Sequence, residues 1–209
     1  EKDNYGFCSD LDKKAVACFS RTGLAVYEMV IRGHFEVERT NAQKVLAEGK
    51  GADRISYKLR NYAEVLKTIA LRRGSIKDYL KIAEETGINP TDCVEIAEVF
   101  HRRKRLDEVI VWVDKGIALL GKSGRYDSSE HQLKQMKRET LKKLGRSEDA
   151  LAAAWAEFQE CPSPYGIGDL MKYVPNDKTA EWREKVVALA LQGRLDQCLE
   201  LLVKLGEWD

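Results

Sequence analysis

The chain has 209 residues, 44% of them hydrophobic and 33% charged, which is a folded and soluble composition rather than a disordered one. Lys plus Arg (35) nearly cancels Asp plus Glu (34), and the net charge of +1 excludes a global pull toward nucleic acid or anionic membrane. No apolar run approaches the roughly 18 residues that a membrane-spanning helix needs.

The first fifty residues read as an N-terminal helical segment packed on the rest. Ala15, Cys18, Phe19, Met29 and Val30 mark one long first helix, and residues 36–51, ending in Glu48-Gly-Lys-Gly51, read as a loose connection. The chain starts at Glu1 without Met and shows no signal peptide, as a piece of a longer protein would.

Residues 51–209 read as paired helices. The apolar spacing predicts hairpins at 54–73 with 75–86, 91–103 with 105–120, 129–144 with 147–160, and 180–192 with 195–205, plus a short helix at 166–173. Leu106, Val109, Ile110, Val113, Ile117 and Leu120 form one such stripe. The β-branched run Val109-Ile-Val-Trp-Val113 is the one place where a strand competes, and its acidic first turn favours helix. Gly74, Gly87, Gly121, Gly145, Gly193 and Gly206 stand where left-handed helix C-caps are wanted. Asn89-Pro90 and Ser163-Pro164 read as an N-cap followed by Pro at the first helical position, and Ser75, Ser147 and Asp127-Ser128-Ser129 as further N-caps.

Four helix openings share one phrase: Ser75-Ile-Lys-Asp-Tyr-Leu, Arg105-Leu-Asp-Glu-Val-Ile, Arg146-Ser-Glu-Asp-Ala-Leu and Arg194-Leu-Asp-Gln-Cys-Leu. They begin at 75, 105, 146 and 194, which are 30, 41 and 48 residues apart. That irregularity excludes a consensus array and fits a diverged, all-α, α-α superhelix of the tetratricopeptide kind, a solenoid of helical hairpins.

Leu144-Gly-Arg-Ser-Glu-Asp-Ala-Leu151, Trp155-Ala-Glu-Phe158, Cys161-Pro-Ser163 and Leu170-Met-Lys-Tyr-Val-Pro175 resemble a bacterial, tetratricopeptide-like helical-repeat family of unknown function. The resemblance covers about residues 55–192. Similar helical tails occur behind SWIM-type zinc fingers, whose Cys-x-Cys and Cys-x-His ligands are absent from this sequence. The resemblance therefore implies a fold and carries over no catalytic residue, metal or cofactor.

Gly116-Ile-Ala-Leu-Leu-Gly121-Lys122-Ser123 satisfies the phosphate-loop pattern G-x-x-x-x-G-K-[ST]. Its variable positions continue a helical stripe instead of forming an anion nest, and Gly124 breaks the chain where a helix should open. His34, His101 and His131 are too dispersed for a metal site or a catalytic base. Glu84-Glu85 and Glu95…Glu98 offer carboxylates on helices, but such pairs on solvated faces are commonplace. Trp112, Trp155, Trp182 and Trp208 fall mostly at stripe positions and read as packing anchors. Cys8, Cys18, Cys93, Cys161 and Cys198 form no C-x-x-C and read as free, buried thiols of a cytoplasmic protein.

Basic clusters remain: 71–73, 101–105 and 134–143. In a solenoid, first helices line the groove, so Arg102, Arg103, Lys134, Lys137 and Arg138 are candidate contacts for an acidic protein or peptide. The expectation is a non-enzymatic scaffold for protein–protein interaction, with no catalytic, metal or cofactor site. Nucleic-acid association through the same basic strip is the alternative, disfavoured by the near-neutral charge and the scarcity of interleaved aromatics. A further alternative is the helical part of a larger protein whose active region lies elsewhere.

Overall fold

The computed structural model describes residues 11–47, 56–123, 127–193 and 195–206, with the side chains of 11–13, 46, 122–123 and 195–198 outside that description. These residues form eleven α-helices and a short 3-10 helix, and no strand. The helices are α1 (Leu11–Cys18), α2 (Arg21–Ala47), α3 (Tyr57–Arg72), α4 (Ile76–Thr86), α5 (Pro90–Arg102), α6 (Leu106–Ser123), α7 (Ser129–Lys143), α8 (Ser147–Glu160), α9 (Pro164–Met171), α10 (Thr179–Ala190) and α11 (Leu195–Leu205). None is long and apolar enough to cross a membrane. The residues cluster into two compact units, Glu1–Asp92 and Cys93–Asp209, so the N-terminal segment shares its unit with α3 and α4.

In the first unit, the long first helix expected from the sequence is two helices. The chain leaves the helix at Phe19 and Ser20, and Ser20 starts α2 by accepting the Gly23 N–H on its hydroxyl (3.1 Å) and the Leu24 N–H on its carbonyl (2.8 Å). The stretch 36–47, expected as loose connection, continues α2; Glu48-Gly-Lys-Gly51 lies outside the described residues. Leu24, Ile31 and Phe35 bury one face of α2 in a cluster with Leu59, Ala63 and Leu66 of α3 and Ile82 of α4. Burial of each such side chain contributes about 1.5–3 kcal/mol.

A buried charged network ties α3 to the start of α5. Lys67, only 2% exposed, sits on the buried face of α3 and donates to Asp92 (2.5 Å) and Glu64 (2.6 Å). Asp92 also accepts the Tyr79 hydroxyl (2.7 Å) and the Asn89 N–H (3.0 Å), while its own N–H bonds the Asn89 side chain (2.9 Å). The carboxylate thus closes the α5 N-terminal cap and neutralises the ammonium. Burial pulls the Lys67 pKa down, but the hydrogen bonds to Asp92 and Glu64 outweigh it, and the value lies above the ordinary 10.5.

Three turns are built alike. After α3, the Gly74 N–H bonds the Leu71 carbonyl and Ser75 N–H the Ala70 carbonyl; after α7, Gly145 bonds Lys142 and Arg146 bonds Leu141. After α5 the same pair of bonds is made by Lys104 to His101 and Arg105 to Phe100. This is the Schellman closure, which needs a left-handed residue. Gly74 (φ 72°) and Gly145 (φ 77°) supply it without cost, whereas Lys104 (φ 59°) adopts it with a side chain attached. Each of the three hairpin openings that follow begins one residue later.

The second unit packs α6 on α7, α7 on α8, α8 on α9 and α10 on α11. Its distal core joins Phe158, Ile167, Leu170, Val186 and Leu201, with Trp155 and Trp182 packed edge-on at 5.3 Å beside it. The stretch 109–113 is helical, inside α6, and so is the whole of Gly116–Ser123. Gly121 is therefore not a cap: α6 runs through it. Gly116 is a contact point, since a Cβ there would stand 2.8 Å from Leu133 Cδ1 and 2.9 Å from Cys93 Cβ. That glycine lets α5 and α7 close on α6, and the phosphate-loop pattern has no loop.

The caps expected at Ser75, Asn89 and Ser163 form, each side-chain oxygen accepting a first-turn N–H. Ser147 instead is the first residue of α8, behind Arg146, and Asp127 rather than Ser128 accepts the Ser129 N–H (2.8 Å). Of the cysteines described, Cys93 is buried, while Cys18 and Cys161 are free and exposed, against the expectation that they are buried. Cys8, the side chain of Cys198, and Trp208 lie outside the described residues.

Candidate functional site

The second unit opens a cavity of about 370 Å³ between α5 and α7. From α5 come Glu98, His101 and Arg102; from α7 come Gln132, Gln135, Met136, Glu139 and Thr140. The α7 residues recur at i, i+3, i+4, i+7 and i+8, a single helical face, and that spacing is what aims them together.

The walls are polar and held in place. Gln132 Nε2 donates to Glu98 Oε1 across the cavity (3.0 Å), and Gln135 Nε2 donates to Glu139 Oε1 along α7 (2.8 Å). Lys143 Nζ stands 2.7 Å from His101 Nε2. Two carboxylates (Glu98 and Glu139), one imidazole (His101), one guanidinium (Arg102) and two amides (Gln132 and Gln135) line the opening.

Thr140 differs from three other helical threonines. Thr40, Thr68 and Thr86 each bond the carbonyl four residues earlier, at 2.8–2.9 Å. Thr140 is 1% exposed, lines the cavity, and its hydroxyl has no hydrogen-bond partner among the described residues. An unpartnered buried hydroxyl costs about 1–3 kcal/mol.

The basic residues singled out by the sequence do not share this cavity. Arg102 alone lines it, at the end of α5, and Arg103 is exposed in the turn that follows. Lys134, Lys137 and Arg138 lie on the opposite face of α7, around a smaller cavity of about 170 Å³ shared with α6 and α8. There each meets an acid. Lys134 bonds Glu130 (2.9 Å) and Glu160 (2.7 Å), Lys137 bonds Asp114 (2.7 Å), and buried Arg138 pairs with Glu157. Burial alone would lower the Lys134 pKa, but its bonds to Glu130 and Glu160 raise it, so the ammonium stays charged and occupied. The contiguous basic strip is thus divided between two faces, and most of its charge is compensated. Gln132, Gln135, Met136, Glu139 and Thr140 were missed by a reading that followed charge; their shared helical row was the available signal.

Among the described residues no three His, Cys, Asp or Glu side chains converge as a metal site would require. No curated protein and no solved structure matches the chain. The chain belongs to a protein family of unknown function, DUF6880, whose sequence profile matches residues 1–208.

Proposed function

We propose that the protein is a non-enzymatic, tetratricopeptide-like helical-repeat scaffold that binds a protein or peptide partner in the groove between α5 and α7. The observation that carries this reading is the 370 Å³ cavity between α5 and α7, walled by the amides of Gln132 and Gln135 and the carboxylates of Glu98 and Glu139. Amide and carboxylate side chains suit the alternating donors and acceptors of an extended peptide backbone. The three identical Schellman turns support the repeat character. Free, exposed Cys18 and Cys161 suit a reducing cytoplasm.

The ion pairs change how the groove is tested. Reversing Arg138 would set a buried acid against Glu157 and damage the fold, so the informative substitutions are Gln132→Ala and Arg102→Glu, both at exposed positions. Affinity capture with the wild-type chain and with Q132A/R102E, read by mass spectrometry, tests the assignment. The reading expects a partner that the wild type retains and the double variant loses; an identical set of captured proteins would refute it. Compensation of Lys134, Lys137 and Arg138 leaves little free positive charge for nucleic acid, and salt-sensitive gel-shift at low ionic strength would overturn that preference.

A further inference from the structure

Charges of both signs stand at the α5–α7 cavity without pairing to one another. Glu98 and Arg102 on α5, and Glu139 and Lys143 on α7, are each a glutamate followed four residues later by a cation, the spacing at which helical ion pairs close. The same spacing closes at Glu28 with Arg32 (2.8 Å), Glu130 with Lys134 (2.9 Å) and Glu181 with Lys185 (2.7 Å). At the cavity the carboxylates and one cation turn instead to amide and imidazole groups. Glu98 takes the Gln132 amide (3.0 Å), Glu139 takes the Gln135 amide (2.8 Å), and Lys143 stands against the His101 ring (2.7 Å). The exposed Arg102 side chain has no partner among the described residues. Glu200 and Lys204 share the spacing and are also open, but both are exposed and neither has another side-chain partner among the described residues.

This arrangement keeps both signs of charge available to a ligand. An amide donor does not cancel a carboxylate's charge, and it leaves Glu98 and Glu139 each a second oxygen to accept with. Exposed ion pairs contribute little, so holding these open costs the fold little. Along the α5 axis, Glu98 and Arg102 are about 6 Å apart. In an extended peptide, side chains two residues apart point the same way and stand about 7 Å apart. A basic and an acidic residue separated by one position therefore meet Glu98 and Arg102 in register. Met136, half-buried in the cavity wall, offers an apolar surface to the methylenes of the basic side chain.

We infer that the partner enters the α5–α7 cavity as an extended segment carrying a basic residue, one intervening residue and an acidic residue. The base lies between Glu98 and Glu139, and the acid lies against Arg102. This charge pattern presupposes the groove proposed above, whose walls select it by electrostatic complementarity.

The probe is the peptide acetyl-Gly-Ser-Lys-Ser-Glu-Ser-Gly-amide, titrated into the isotope-labelled full chain and read by the side-chain amide resonances of Gln132 and Gln135. Two comparison peptides carry Gln at both charged positions, or Lys at both. The mixed peptide should shift both resonances saturably and bind about tenfold more tightly than either comparison. Arg102→Gln/Glu139→Gln, at two exposed positions, should weaken the mixed peptide by about tenfold, whereas Glu200→Gln/Lys204→Gln should leave its binding unchanged. Equal binding of the uncharged peptide overturns the charge pattern and leaves the groove standing as a site for peptide backbone. Equal binding of the all-lysine peptide overturns it in favour of a purely basic partner. No shift with any peptide overturns it too, and photo-cross-linking from position 132 then decides separately whether the groove binds at all.

Discussion

Replacing Thr140 by Val exchanges the hydroxyl for a methyl of nearly the same size and leaves the cavity wall otherwise unchanged. Because the hydroxyl is buried and has no partner among the described residues, its removal recovers a desolvation cost of about 1–3 kcal/mol. T140V should therefore be more stable than wild type by about 1 kcal/mol, which for a chain of this size raises Tm by about 2–4 °C. Thr68→Val supplies the contrast, since Thr68 is also helical but bonds the Glu64 carbonyl at 2.8 Å. That substitution should cost about 0.5–1.5 kcal/mol. Urea denaturation of both variants, followed by circular dichroism, reads the two signs directly. A T140V midpoint at or below wild type would mean that the hydroxyl is satisfied within the chain.

The buried ion pair gives a second expectation. Lys67→Met strands Asp92 without a cation and should cost about 3–5 kcal/mol by the same unfolding assay. The Lys67 pKa is raised on folding, so its stabilisation is complete below the unfolded value near 10.5 and is lost as pH rises past it toward the folded value. Wild type should thus lose stability above pH 10.5 more steeply than K67M, as measured by urea midpoints across alkaline pH. Lys104→Gly removes a side chain from a left-handed turn residue and should stabilise by about 0.5–1 kcal/mol, visible as a raised Tm. Gly116→Ala pushes a Cβ against Leu133 and Cys93 and should destabilise by about 1–3 kcal/mol; an unchanged midpoint would show that α5, α6 and α7 can part.

The hairpins were legible because their punctuation is local. Asn89-Pro90, Ser163-Pro164, Gly74 and Gly145 act within a few residues of where they stand, and a sequence displays such neighbours side by side. Lys104 fills the same role as Gly74 and Gly145 without looking like a cap, and only the Arg105 opening after it gives the turn away. The break at Ser20 was hidden for a related reason: Phe19 and Tyr27 keep the apolar spacing going across it. The stretch 36–47 was missed because its apolar residues, Val37, Ala42, Val45, Leu46 and Ala47, are too sparse before Val45 to show a stripe.

Side-chain partnerships were far less visible. Lys134 meets Glu160 from 26 residues away, and Lys67 meets Asp92 from 25, separations over which no periodic pattern operates. Lys67 did carry a clue, standing four residues after Ala63 on the apolar face of α3. The candidate groove suffered most, since a list of basic residues ignores helical rotation. Lys134, Lys137 and Arg138 are adjacent in sequence to Gln132, Gln135 and Thr140 yet face the other way.

The groove is tested most directly by placing a photo-cross-linking residue, p-benzoylphenylalanine, at Gln132 in the full chain and irradiating it in cell lysate. The same residue at Ala152, exposed on α8, serves as the reference. A scaffold that binds a partner between α5 and α7 gives a discrete adduct from position 132 that is absent from position 152. Identical adducts from both positions, or none from 132, would contradict the assignment of this groove.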